Sequence, residues 1–269
     1  MTALVVAVTA PSAEAELAAD ALWAAGAVAV EERAGPGAAT VLVAATADGA
    51  VEPLLAAVAG RWPAEAAPVD LDAALDAWRD HARPVDAGAR LRVRPPWLPA
   101  GAGDRVEVVI DPGRAFGSGA HASTRLALAA LDGLVTGGEA VLDVGCGSGV
   151  LALAALALGA AEATGVDVDP AALAAAAANA GRNPGLGPLA LGEAVPPDRR
   201  YDLVLANMLL PDLVALAPGI AAAVRPGGVA VLSGVLLGQR PGLVAAYPGL
   251  APESERADDG WLALTLRAP

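Results

Sequence analysis

The sequence predicts an α/β protein: a doubly wound, mostly parallel sheet of Rossmann-like type, preceded by a small α+β unit. Three observations carry that prediction. From Glu139 onward, short apolar strands alternate with helical stretches, the order expected of successive βαβ units. The first of these strands runs into a turn with glycine at alternate positions, Gly145, Gly147 and Gly149. The next strand ends in a carboxylate, Asp167, 22 residues after Gly145.

In chain order, residues 1–69 read as strand, helix, strand, strand and helix: Ala3 to Val8, Ala13 to Ala25, Ala27 to Glu31, Thr40 to Ala45 and Val51 to Arg61. That is a small α+β unit with helices on one face. Asp70 to Arg79 places Leu71, Leu75 and Trp78 at helical spacing behind an aspartate and reads as a linker helix. Arg83 to Pro99 holds four prolines and four arginines and reads as an extended connection, so that 70–99 forms the linker and 100–269 the larger domain. Within that domain, strands are expected at Arg105 to Ile110, Ala140 to Val144, Ala163 to Asp167, Tyr201 to Ala206, Val229 to Ser233 and Trp261 to Arg267. The clearest helices are Arg125 to Leu134, Val150 to Leu158 and Pro170 to Ala180.

Composition narrows the function classes. The 269 residues are 55% hydrophobic and the mean hydropathy is +0.52. The excess is mostly alanine, broken by Gly, Pro, Asp and Arg, with no run of about twenty strongly apolar residues, so no membrane association is expected. Met1 to Val8 lacks a basic start and leads directly into Thr9, Pro11 and Glu14, which gives a cytoplasmic expectation. Cys146 is the single cysteine and only His81 and His121 accompany it, which argues against a structural metal site. Net charge is −13 and all 17 basic residues are arginine. A chain this acidic repels phosphate backbones and suits a basic protein partner. The missing lysine goes with the abundance of Ala, Gly, Pro and Arg and reads as compositional bias.

The glycine turn is the first chemical signal. Glycines there let the chain turn sharply and let a ligand approach without a Cβ in the way. A nicotinamide fingerprint G-x-G-x-x-G requires glycine at position 150, where this chain has Val150, so the spacing favours S-adenosylmethionine over NAD. Asp167 sits where a carboxylate accepts hydrogen bonds from both ribose hydroxyls of an adenosyl group. Asp169 and Pro170 follow as N-cap and first turn of a helix. Cys146, inside the turn, lacks a basic neighbour in sequence and reads as packing.

Two further elements stand at strand ends. Tyr201 to Asn207 is a strand closed by an asparagine, which either caps the next helix or serves a ligand, binding the cofactor or orienting an incoming amine. Asp111 to Thr124, with Phe116, Gly117, Gly119 and His121, has the glycine content of a loop that folds over a ligand. His121 suits either a general base or a loop-fixing hydrogen bond.

Together, Asp111 to Thr124, Asp143 to Leu151, Gly165 to Pro170, Asn207 with its leucines, Gly260-Trp261-Leu262 and the linker Asp76 to Arg79 resemble the PrmA-type methyltransferases that modify the bacterial ribosomal protein L11. The resemblance runs from about residue 70 to the end. It implies a class I S-adenosylmethionine-dependent methyltransferase fold. It also implies cofactor contacts from Thr124, Gly145, Gly147, Asp167, Asn207, Phe116 and Gly117, with Asn207 and His121 as candidate catalytic residues. The acceptors implied are lysine side chains of a basic ribosomal protein, with its N-terminal amine as a further candidate, and the N-terminal unit would recognise that protein. Ser118 and Ser123 replace threonines usual in the family, and Pro211 stands one position earlier than usual. Other readings are a small-molecule or nucleic-acid methyltransferase and a non-catalytic adenosyl-ligand sensor. Against a base-modifying enzyme, Asn207 is followed by Met208, Leu209 and Leu210 rather than by Pro-Pro-aromatic. Oligomeric state leaves no signal in the sequence.

Overall fold

The computed structural model describes residues 2–27, 29–46, 49–70, 82–111 and 117–269. The expected linker helix over Asp70 to Arg79 lies almost wholly outside these residues, and Phe116 lies outside them altogether. The chain divides into two units, Met1–His81 and Ala82–Pro269.

In the first unit the order is β1 (Thr2–Pro11), α1 (Ala15–Ala24), β2 (Ala29–Ala34), β3 (Ala39–Ala45), α2 (Glu52–Val58) and β4 (Ala64–Asp70). The strands form one antiparallel sheet in the order β2-β3-β1-β4. Alternation decides which face is covered: Val6, Val8 and Ala10 of β1 with Leu42 and Ala44 of β3 meet Ala18 and Leu22 of α1 and Leu54 and Val58 of α2 in one core. β4 is absent from the expectation because Pro68 and three alanines leave no strand signature. As an edge strand it tolerates a proline.

In the second unit, β5 (Val85–Ala87), β6 (Leu91–Arg94) and β7 (Val106–Val109) form a three-stranded sheet. The expected extended connection therefore belongs to this unit: Leu91 and Val93 are buried while Arg92 and Arg94 point outward, a period of two that the surrounding prolines obscure. The main sheet has the order β10-β9-β8-β11-β12-β14-β13. Its strands are β8 (Ala140–Val144), β9 (Glu162–Val166), β10 (Leu189–Gly192), β11 (Tyr201–Asn207), β12 (Val224–Leu236), β13 (Ala251–Asp258) and β14 (Trp261–Arg267). The first five in that order pair in parallel and β14 and β13 run antiparallel. The helices are α3 (Ala122–Leu134), α4 (Val150–Leu158), α5 (Pro170–Arg182), α6 (Leu210–Ala215), α7 (Ala217–Ala223) and α8 (Arg240–Ala246).

Both sheet faces are covered, which is why the strands read as continuous apolar runs. Leu203 and Leu205 of β11 join a core with α3 and α4, while Val204 and Ala206 join the opposite core with Leu213, Ile220 and Leu243 from α6, α7 and α8. Helix α4 is apolar all round because it lies among β7, β8, β9 and α3. Each of its buried leucines contributes about 1.5–3 kcal/mol. β13, exposed along its whole length, is a charged edge with Pro252 at a register shift, so its hydrophobic pattern is blank. This is the doubly wound, mostly parallel fold the sequence predicts.

Candidate active site

Strands β8 and β11 are neighbours, yet the chain leaves β8 toward β9 on one side and β11 toward β12 on the other. A crevice opens beyond the carboxyl ends of strands at such a reversal, and the sequence motifs gather there.

The glycine turn connects β8 to α4. Gly145, Gly147 and Gly149 all have left-handed backbones, with φ of 69°, 52° and 78°. A Cβ on Gly145 would lie 2.7 Å from Met208 Sδ, and one on Gly149 would lie 3.0 Å from Ala176 Cβ on α5. The N–H groups of Gly145 and Cys146 donate to the Val166 carbonyl at 2.8 and 3.0 Å, fastening the turn to the end of β9. The Gly147 N–H donates to Asp167 Oδ2 at 2.9 Å and the Asp169 N–H to Asp167 Oδ1 at 3.0 Å. Asp169 in turn caps α5 by accepting from the Ala171 N–H.

Those two bonds set the Asp167 carboxylate and still leave acceptor capacity on each oxygen. Beside it, Val168 is 88% exposed, an apolar surface at the lip of the crevice. A turn whose three glycines carry no Cβ, a fixed carboxylate with spare acceptors and an adjacent apolar side chain are features that can hold an adenosyl group.

Gly149 stands at the N-cap of α4 without a capping side chain. Asp143 supplies that function from the end of β8, its Oδ2 accepting the Ala152 N–H at 3.1 Å. The carboxyl is 1% exposed and Oδ1 has no partner among the described residues. Burial, with a smaller contribution from the Asp167 charge, pushes its pKa up to about 7. Burial likewise pushes the Cys146 thiol up, which keeps it protonated and unreactive.

At the end of β11, Asn207 Nδ2 donates to Thr124 Oγ1 at 3.1 Å. Thr124 is fully buried in the first turn of α3. Asn207 Oδ1 is buried and has no donor among the described residues. The neighbouring backbone is held too: the Met208 N–H donates to the Ser233 carbonyl at 3.0 Å. Gly234 makes room for that approach, since a Cβ there would lie 2.5 Å from the Met208 carbonyl oxygen. Ser233 Oγ donates to the Ser123 carbonyl at 2.9 Å, tying β12 to the start of α3.

His121 is the N-cap of α3. Its Nδ1 accepts from the Ser123 N–H at 3.3 Å and lies 2.8 Å from Ser123 Oγ, and the ring packs edge-on against Trp261 with centroids 4.7 Å apart. Burial, aided by the nearby Arg125, lowers its pKa, so the ring is neutral at physiological pH. Arg125 also pairs with Asp258 at 2.5 Å, near the β13–β14 turn.

Comparison with known proteins gives this arrangement a family. The family model described as ribosomal protein L11 methyltransferase (PrmA) matches residues 65–269. The chain belongs to that family. It is 45% identical over 196 residues to the ribosomal protein L11 methyltransferase of Pseudomonas aeruginosa, covering 71% of this chain and 66% of that protein. With the enzyme of the same name from Chromohalobacter salexigens it shares 42% over 234 residues, covering 81% and 78% of the two chains. The crystal structure of a ribosomal protein L11 methylase from Lactobacillus delbrueckii subsp. bulgaricus superposes with a TM-score of 0.64 at 28% identity, over 69% of this chain and 98% of that one. The fold is thus that of the class I S-adenosylmethionine-dependent methyltransferases.

Of the residues the sequence singles out, the structure joins Gly147 to Asp167 by one hydrogen bond and Asn207 to Thr124 by another, and sets Gly145 against Met208, the residue after Asn207. Gly117 is tied to the glycine turn, since Ser148 Oγ donates to its carbonyl at 2.6 Å. Sequence reasoning passed over Asp143 as a cap, Val168, Ser148, Ser233 and Asn179. Ser148 and Asn179 act through hydrogen bonds to backbone atoms remote in sequence, which leave no spacing pattern. Val168 follows the strand expected to end at Asp167, and an apolar residue at that place gives no sign of its exposure.

Proposed function

We propose that this chain transfers methyl groups from S-adenosylmethionine to amines of ribosomal protein L11, its lysine side chains and its N-terminal amine. One observation supports this most: Asn207 Oδ1 is buried and has no donor among the described residues, while the amide nitrogen of the same side chain is spent on Thr124. An amine N–H supplies what that oxygen needs.

When bound, S-adenosylmethionine supplies an electrophilic methyl on a positively charged sulfur that leaves as a neutral thioether. Asp167, Val168 and the glycine turn hold the adenosyl part. Asn207 Oδ1 accepts an N–H of the incoming amine and so aims its lone pair, with Thr124 fixing the amide in place. Positioning is the main task, because an in-line approach converts most of the entropic cost of the encounter into prior binding. A lysine amine, with an ordinary pKa near 10.4, sheds its proton to water before attack, and desolvation at the apolar mouth, where Leu209 and Leu236 are exposed, favours the neutral form. His121 holds the start of α3 rather than taking that proton: its Nδ1 is engaged at the cap.

The N-terminal unit is the recognition surface for a basic partner. Twelve acidic residues and three arginines fall within residues 1–81, so this unit carries −9 of the net −13.

The test is incubation with isotopically labelled S-adenosylmethionine and ribosomal proteins. A labelled protein band whose modified residues are lysines supports the reading. Label in RNA alone, or cofactor binding without transfer to any protein, overturns it.

A further inference from the structure

Asn179 lies in α5 within a run of alanines and is fully buried. Its side-chain amide makes four hydrogen bonds, the full capacity of the group. Oδ1 accepts from the Asp111 N–H at 2.9 Å and from Arg182 Nη1 at 3.3 Å. Nδ2 donates to the Asp111 carbonyl at 3.0 Å and to the Ser148 carbonyl at 2.9 Å. Asp111 follows β7 and opens the motif that ends at Thr124. Ser148 belongs to the glycine turn. One buried amide therefore joins the glycine turn to the segment that opens at Asp111.

A second tie runs in parallel. Ser148, also fully buried, donates its hydroxyl to the Gly117 carbonyl. A Cβ on Gly117 would lie 2.7 Å from Ser148 Oγ, so the approach requires glycine, whose φ is 104°. Asp111 and Gly117 are thus both referred to Ser148, one through Asn179 and one directly.

Asn183, one turn later, provides a contrast within the same helix end. Its Oδ1 accepts from the Val109 N–H and its Nδ2 donates to the Val109 carbonyl, each at 2.8 Å, and to the Asn179 carbonyl at 2.8 Å. It clasps the β7 segment as Asn179 clasps Asp111, but it does not touch the glycine turn. Two asparagines four apart therefore share the fastening of that segment to α5, and only one extends the fastening to the cofactor turn.

We propose that Asn179 is a positioning residue that couples cofactor occupancy of the glycine turn to the placement of Asp111 and Gly117, and through them of the segment that leads to Thr124. Filling the turn restrains the Ser148 carbonyl, and Asn179 passes that restraint to both backbone groups of Asp111. Protein substrate then meets an ordered wall only when the methyl donor is in place. This rests on the cofactor reading above.

The experiment uses the full chain and S-adenosylhomocysteine as probe. Residue-resolved amide exchange is read by NMR with and without the probe, and calorimetry reports its binding. The expected result is at least tenfold slower exchange at Asp111 and through 117–124 on binding, against less than threefold at Val109. Equal slowing at Asp111 and Val109, or none at either while calorimetry shows binding, overturns the inference. Absence of binding by the wild-type chain overturns the cofactor reading itself.

Variants add the kinetic split. Asn179→Ala and the isosteric Asn179→Asp, which loses the two donor bonds, are expected to weaken probe affinity about tenfold and to lower kcat at saturating cofactor. Asn183→Ala is expected to destabilise the fold comparably while leaving probe affinity and kcat within about twofold, because Asn183 makes no bond to the glycine turn. Folded Asn179 variants that bind and turn over like Asn183→Ala contradict the coupling.

Discussion

The two units of the chain distribute charge and precise geometry in opposite ways. The first carries −9 over 81 residues, and its sheet follows ordinary alternation with a helix-covered face. The second carries the remaining −4 over more than twice that length, and it holds the three left-handed glycines of the turn, the buried Asp143, Thr124 and Asn179, and the orphaned oxygen of Asn207. The family model starts at residue 65, close to the division between them. Chemistry that depends on a few tenths of an ångström fixes residue types one by one. Recognition by a net field asks only that charge of one sign be kept on a surface, which many sequences satisfy.

The sharpest way to break this contrast is Asn207→Ala. If atomic placement in the second unit governs catalysis, turnover falls about 10²–10³-fold, the range for losing one positioned polar partner of the reacting group. Affinity for S-adenosylhomocysteine, measured by calorimetry, stays within a few-fold because the turn and Asp167 are untouched. A loss confined to cofactor affinity, with turnover intact at saturation, assigns Asn207 to cofactor binding alone.

The same contrast explains what was legible in the sequence. The main sheet was readable because strands buried on both faces leave unbroken apolar runs such as Leu203 to Ala206, and the helices between them have matching length. The glycine turn and Asp167 were readable because backbone approach admits only glycine and a fixed ligand needs a fixed carboxylate. β4 and β13 were not, because edge strands rich in Pro, Glu and Ala keep hydrogen-bond geometry without a hydrophobic signature. β6 was hidden by the prolines around it. Asn179 and Ser148 were illegible for another reason: their partners are main-chain atoms remote in sequence, and a backbone partner has no identity to read.

Asp143 sharpens the comparison at the next level of effect. Its folded pKa of about 7 lies above the value near 3.9 of an unfolded chain. Between those values the folded state holds a proton that the unfolded state has lost. The contribution of this group is therefore complete below about pH 4 and is lost as pH rises to about 7. Asparagine keeps the shape and the acceptor for the Ala152 N–H but does not titrate. Asp143→Asn is expected to remove a decline in stability on the order of 2 kcal/mol between pH 5 and 8, read from urea unfolding at each pH. Parallel pH profiles of the two proteins contradict a raised pKa and with it the picture of an uncompensated carboxyl in this core.

The smallest expected effect tests the other side of the comparison. If the first unit acts through its field, its contribution responds to ionic strength and to charge number but not to the identity of single residues. Reversing two exposed charges on separate strands, Glu32→Lys on β2 and Glu65→Lys on β4, is expected to lower kcat/KM for the protein substrate about three- to tenfold at low salt, with kcat at saturation unchanged. Raising salt toward 0.3 M is expected to shrink the difference between variant and wild type, because the Debye length falls well below the spacing between the two surfaces' charges. Asp198→Lys, an equally exposed reversal ahead of β11 in the second unit, serves as the control for net charge alone. If it lowers kcat/KM per charge as much as the first pair does, recognition follows the overall −13 and the first unit holds no special share. If the pair acts alone and its effect survives high salt, the contacts there are specific, and recognition in the first unit is as exacting as chemistry in the second.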